Sequence, residues 1–142
     1  MSGTIERAIA IAAAAHEGQV DKAGAPYVFH PLRMMLRLDT PDEHMAAVLH
    51  DVVEDTPVTL EQLRAEGFPQ AVLEAVEALT KREGEDYEEF IRRVAANRLA
   101  SRVKLADLRD NCDLSRIAQP TEKDYERIGK YGRAIGYLEG LE

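Results

Sequence analysis

The sequence predicts an all-α protein, a bundle of seven or eight helices, on three observations. Helix-forming runs with apolar residues at three- and four-residue spacing follow one another along the chain. Two Thr-led capping boxes mark helix starts. Gly- and Pro-containing breaks separate the runs, and no alternating strand pattern occurs outside the ambiguous "YVF" before His30.

Residues 5–16, "IERAIAIAAAAH", have high helix propensity throughout. The polar loop "EGQVDKAGAPY" follows, broken by Gly18, Gly24 and Pro26. "HPLRMMLRL" restarts a helix with Pro31 in its first turn, where a missing N–H costs nothing. Thr40-Pro41-Asp42-Glu43 is a capping box with Pro at the first helical position, so one helix is expected from about residue 41 through "AAVLHDVVEDTP". Thr59 to Gln62 is a second box, and Gly67 stops that short helix. "PQAVLEAVEALT" places Val72, Val76 and Leu79 on one face. After the loop "TKREGED", the runs "YEEFIRRVAAN", "LASRVKLADLRDN" and "EKDYERIGKYGRAIGYLEGL" complete the bundle.

The 142 residues make about one domain, with 45% hydrophobic and 31% charged residues, values of an ordinary folded protein. No apolar run approaches the ~20 residues that cross a bilayer, and no basic leader precedes the Ala-rich start, so neither a membrane span nor a signal peptide is expected. A single cysteine, Cys112, excludes an internal disulfide and fits a reducing, cytoplasmic setting. The net charge is −8, and it is uneven: residues 1–80 carry 5 Lys/Arg against 13 Asp/Glu, residues 81–142 carry 13 of each. The acidic half argues against a nucleic-acid polymer as partner but permits a small polyanion held by a metal and local cations.

"AAVLHDVVEDTP" sets His50, Asp51, Glu54 and Asp55 among core-type apolar residues. Burying such groups without a partner costs several kcal/mol, so compensation is required. On a continuous helix the four crowd one side, and His50 with Asp51 offers one nitrogen and one oxygen to an ion. His30, at a loop-to-helix junction, and Asp107, on the apolar face of "VKLADLRDN", supply the missing half; Asn111 lies one turn beyond Asp107. His30, His50, Asp51 and Asp107 thus form a two-nitrogen, two-oxygen set that suits Mn²⁺ or Fe²⁺, with Zn²⁺ also acceptable. His16 and His44 are assigned structural or surface roles.

Y-x-x-H-P, then H-D-x-x-E-D-T, then K-L-A-D-x-x-x-N resembles the hydrolase half of the RelA/SpoT homologue proteins, which are HD-domain metal-dependent phosphohydrolases. At this length the chain looks like a stand-alone small alarmone hydrolase, and the resemblance runs from about Ala8 to Leu138. It implies a single all-helical HD domain over residues 1–142 that binds one Mn²⁺ and removes the 3′-pyrophosphate of ppGpp or pppGpp. By the same resemblance the metal ligands fall on His30, His50, Asp51 and Asp107, and the catalytic acidic pair on Glu54 and Asp55. Lys22, Asn111, Arg127 and Tyr131 match substrate-binding positions, with Tyr131 equally suited to the core. One departure stands out: where family members carry an Arg that packs on the guanine, this chain has Asp21. That opens the base preference, and an adenine 3′-pyrophosphate becomes a candidate substrate. The competing readings are an HD phosphohydrolase of other specificity and a non-catalytic nucleotide- or partner-binding module.

Overall fold

The computed structural model describes residues 3–141 as nine helical segments, with no strand among the described residues. They are α1 (Ile5–Ala15), α2 (Phe29–Leu36), α3 (Pro41–Leu49), α4 (Val52–Asp55), α5 (Leu60–Ala65), α6 (Gln70–Leu79), α7 (Tyr87–Ala95), α8 (Arg98–Asn111) and α9 (Glu122–Glu139). The two Thr boxes cap α3 and α5 as the sequence predicts, with Pro41 in the first turn of α3. Asp86 and Thr121 add two further boxes, at α7 and α9. Gly67 follows α5 at φ 86°, a left-handed conformation that ends the helix without the strain a side chain brings. The "YVF" stretch is no strand; before it Val20 and Pro26 form an isolated bridge that pinches the loop.

One helix departs from expectation. The run from residue 41 is split at His50 and Asp51, where Asp51 relaxes to φ −102°, ψ −2°. The cause is a competition for one carbonyl. Ala47 O, which a continuous helix would offer to the Asp51 N–H, instead accepts from His50 Nδ1 at 2.7 Å and from His50 N at 3.4 Å. Counted as one broken helix, α3 and α4 give the eight-helix arrangement.

Helices α3 and α8 form the centre. Ala46, Ala47, Val48 and Leu49 of α3 are fully buried, which explains a helix apolar on all sides. On α8, Val103 and Leu108 are fully buried and Leu105 nearly so; full burial of such a side chain contributes about 1.5–3 kcal/mol. The remaining helices pack around this pair, α1, α2 and α6 against α3, and α2, α6, α7 and α9 against α8. An ion pair from Arg102 to Glu43 ties the two together, while Glu43 also accepts the backbone N–H groups of Asp39 and Thr40 at 2.9 and 3.2 Å. Arg93 on α7 donates to the carbonyls of Ala78 and Thr80 at 3.2 and 2.8 Å, satisfying the exposed end of α6. No helix among the described residues is long and apolar enough to cross a membrane.

Candidate metal centre and substrate cavity

The break between α3 and α4 is what aims the first imidazole. A carbonyl can only accept, so the 2.7 Å contact to Ala47 O places the proton of His50 on Nδ1 and leaves a lone pair on Nε2. That Nε2 is buried with no hydrogen-bond partner, although Asp51 Oδ2 lies 2.9 Å and Asp107 Oδ1 3.8 Å away. A lone pair facing a carboxylate oxygen at that distance is an arrangement for two acceptors with a positive charge between them. A proton or a metal cation meets that need.

His30 enters from the start of α2, fixed in place by Pro31 and by the pinched loop. Its Nδ1 lies 2.6 Å from Asp110 Oδ2 and its Nε2 2.9 Å from Asp107 Oδ1. Burial opposes a charge on this ring, but the bonds to Asp107 and Asp110 prevail and lift its pKa to about 9. Divalent cations displace such protons, because a ligating imidazole must be neutral. One atom from each of His30, His50 and Asp107 lies within 4.8 Å of the others, close enough to hold a single ion. Asp51 falls outside this triplet; its carboxylate accepts the Tyr27 hydroxyl and flanks His50.

The surrounding charges are organised around Asp107. Burial raises its pKa, yet Lys104 at 2.7 Å, His30 and His50 hold it well below the usual carboxylate range. Asn111 donates to the same carboxylate at 2.9 Å. Asp110 is fully buried, and burial again works against its charge, but His30 and Arg33 keep it low. Arg33 reaches it with a two-pronged contact, Nε and Nη2 each at 2.9 Å. The sequence reading passed over Asp110; its signal is its place three residues after Asp107, next to a face that already carries a buried acid. Tyr27, the first residue of the Y-x-x-H-P motif, has no site role in the sequence reading, and Asp124 does not figure in it. Asp124, nearly buried at the start of α9, accepts Arg127 at 2.8 Å and lies 3.8 Å from Lys22. Its signal is the Thr121 box.

A cavity of about 410 Å³ opens beside the triplet. Lys22, Asn111, Arg127 and Tyr131 all line it, together with the ligand candidates His30, Asp51 and Asp107. Arg33 and Arg116, which the sequence reading did not single out, line it too. Tyr131 answers both expectations: it faces the cavity and packs against the core. Asp21 also lines the cavity, but one of its oxygens is taken up by the loop, accepting the N–H groups of Ala23 and Ala25 at 2.9 and 3.0 Å. Its carboxylate stands at the position where, by the resemblance, family members carry an Arg.

Glu54 and Asp55 are not among the cavity-lining residues; they sit on α4, exposed, beyond Asp51. Their electrostatics still belong to the site. Burial and then the Asp51 charge push both carboxyls up. His16, read from sequence as structural or surface, is fully interior: its Nδ1 lies 2.9 Å from Gln19 Oε1 and its ring meets Tyr27 edge-on at 4.9 Å. His44 is structural as expected, 2.9 Å from the Leu38 carbonyl.

Four similarities bear on this geometry. The HD domain family model matches residues 8–110. A guanosine-3′,5′-bis(diphosphate) 3′-pyrophosphohydrolase of Haemophilus influenzae is 47% identical over 76 residues, which are 50% of this chain and 11% of that one. The Aquifex aeolicus protein of the same name is 35% identical over 119 residues, 75% of this chain and 17% of its own length. The chain thus spans less than a fifth of these curated relatives, as the 11% and 17% coverages state. A solved structure of a metazoan orthologue of SpoT, which hydrolyses ppGpp and plays a role in starvation responses, matches with a TM-score of 0.78 at 25% identity. That match covers 100% of this chain and 89% of the other.

Proposed function

We propose that this chain, which belongs to the HD domain family, is a metal-dependent hydrolase of nucleotide 3′-pyrophosphates such as ppGpp. The observation that carries the reading is the convergence of His30, His50 and Asp107 on one point at the edge of a cation-lined cavity. The activity printed for the metazoan orthologue and for the two bacterial relatives supports the same substrate class.

His30, His50, Asp51 and Asp107 would hold the ion; Mn²⁺ is proposed, with Fe²⁺ and Zn²⁺ compatible with two nitrogens and two oxygens. The chemistry supplied there when the ion is bound is Lewis-acid polarisation of a phosphoryl oxygen and acidification of water. Asp110 orients His30 by fixing its Nδ1 proton, and the Ala47 carbonyl does the same for His50. Glu54, with Asp55 beside it, orients the attacking water and takes its proton, a role typically worth ~10²–10⁴-fold. Their raised pKa values bring these bases nearer to neutral pH, which suits the transfer. Water adds to the phosphorus joined to the ribose 3′ oxygen, that P–O bond breaks, and pyrophosphate leaves with the 3′ hydroxyl restored. Lys22, Arg127, Arg33 and Arg116 balance the substrate charge, and Asn111 seats the nucleotide.

Metal content and pyrophosphate release, measured on Mn²⁺-reconstituted protein with guanosine and adenosine 3′-pyrophosphates, test the reading. Asp51→Ala should lose both metal and turnover. Parental turnover in Asp51→Ala, or no pyrophosphate release from any 3′-pyrophosphate by parental protein, refutes it. The second reading, an adenine-preferring enzyme, is favoured by Asp21 at the cavity wall.

A further inference from the structure

A second cavity, of about 390 Å³, lies between α7 and α9 and shares no lining residue with the first. Its size falls in the range of small-molecule sites. Helix α9 serves both cavities: Arg127 and Tyr131 face the metal side, while Lys130, Arg133 and Tyr137 form a separate stripe at i, i+3 and i+7. From α7, Tyr87, Ile91 and Arg92 line the opposite wall.

The charges here are poorly accounted for by the protein itself. Lys130 and Arg133 are like charges one turn apart, which repel. Lys130 Nζ sits 3.9 Å from the centre of the Tyr87 ring and has no ion pair among the described residues. Arg133 has no ion pair there either. Arg92 reaches only Glu88, at 3.9 Å, with both side chains largely exposed. Three cations against one carboxylate, in a chain of net charge −8, mark a local positive field. Aromatic surface adjoins it: Tyr137 is 45% exposed, and the Tyr87 ring lines the facing wall beneath Lys130. A ligand that satisfies all of this carries several negative charges on one end and a flat ring on the other.

We infer that this cleft binds a purine nucleoside triphosphate, its phosphates on Lys130, Arg133 and Arg92 and its base against Tyr137. The site is separate from the hydrolytic cavity and does not depend on hydrolysis. Equilibrium dialysis of the full chain against GTP, ATP and inorganic tripolyphosphate tests it. The parental chain should bind both nucleotides more tightly than tripolyphosphate. A Lys130→Gln, Arg133→Gln double variant, altered at two exposed positions, should weaken both by about 10-fold or more. Tyr137→Ala should weaken the nucleotides and leave tripolyphosphate unchanged, whereas Arg127→Ala, on the other stripe, should leave this site intact. Parental nucleotide binding in the double variant, tripolyphosphate binding as tight as GTP and ATP, or no nucleotide binding to the parental chain at millimolar concentration overturns the inference. The hydrolytic reading fails by a different measurement, absent pyrophosphate release, so the two outcomes stay distinct.

Discussion

Asp110 is not itself a ligand of the proposed ion, yet its replacement should loosen the ion's grip. The Asp110 carboxylate accepts the Nδ1 proton of His30 at 2.6 Å and is itself clamped by Arg33 through two 2.9 Å contacts. Removing a partner behind a ligating histidine typically costs 10–100-fold in metal affinity, which is about 1.4–2.7 kcal/mol. Asp110→Asn keeps an acceptor oxygen for His30 but loses the charge, so a fall of about 10-fold in Mn²⁺ affinity is expected. Asp110→Ala leaves a buried N–H unpaired and frees the ring to turn, so the fall should approach about 100-fold. Arg33→Gln should cost only a few-fold, because Arg116 Nη2 remains 3.7 Å from the same carboxylate. His50 provides the internal control, since its Nδ1 is fixed by a backbone carbonyl that none of these substitutions alters. Equilibrium dialysis with Mn²⁺, alongside circular dichroism to establish that each variant is folded, reads the effect. A folded Asp110→Ala protein with parental Mn²⁺ affinity would refute the orienting role.

Glu54→Gln should retain Mn²⁺ and lose ~10²–10⁴-fold in turnover, measured as pyrophosphate release; parental turnover would remove Glu54 from the mechanism. Because Glu54 and Asp55 must be ionised to take a proton and both carboxyls are raised, the acid limb of kcat/KM should lie above the ordinary Glu value of 4.5 and shift in Glu54→Gln. A limb below that value in a pH–rate profile contradicts the assignment. Asp21→Arg removes the carboxylate that holds the Ala23 and Ala25 N–H groups but adds a cation able to stack on a base, so the guanine-to-adenine ratio of kcat/KM should rise; an unchanged ratio excludes Asp21 from base choice. Chelation with EDTA should leave helix content intact by circular dichroism while abolishing turnover, since Asp107 and Asp110, the most deeply buried acids of the site, already pair with Lys104 and Arg33.

The sequence carried the helix set well because local signals agreed: Thr40, Thr59 and Gly67 each act over three or four residues, and each does what its chemistry dictates. The break at His50 was not legible, since it arises when a side chain takes its own helix's carbonyl, and helix periodicity is blind to that. The same limit governs the site. His30 and Asp107 stand out as polar residues at positions that demand a partner, and they meet at 2.9 Å across a separation of 77 residues. Asp110 and Asp124 do not stand out, because an acid in a charged helix resembles a solvated one until packing closes over it. Their importance lies in contacts to Arg33, His30, Lys22 and Arg127, all distant along the chain except Arg127.

The charge arrangement links the ion to the substrate. Near the triplet, Asp107 and Asp110 are matched by Lys104, Arg33 and the proton on His30, while Asp51 has the Tyr27 hydroxyl and faces the unpartnered Nε2 of His50. The place still short of a positive charge is therefore the one between Asp51 and His50, at the triplet. Exchange of the His30 proton for a divalent cation adds one net positive charge at the cavity's edge, where a pyrophosphate would lie. Each bound species then favours the other, and the coupling must be reciprocal: whatever factor Mn²⁺ contributes to nucleotide affinity, the nucleotide returns to Mn²⁺ affinity. Dialysis of the Glu54→Gln protein, with and without a guanosine 3′-pyrophosphate, measures this directly. At 4 Å and an effective dielectric of 20, one unit charge is worth about 4 kcal/mol before screening, so even a strongly attenuated effect should exceed 10-fold. Equal Mn²⁺ affinity in the two arms would mean that the nucleotide's phosphates do not lie against the ion, and the proposed placement of substrate in this cavity would fall with it.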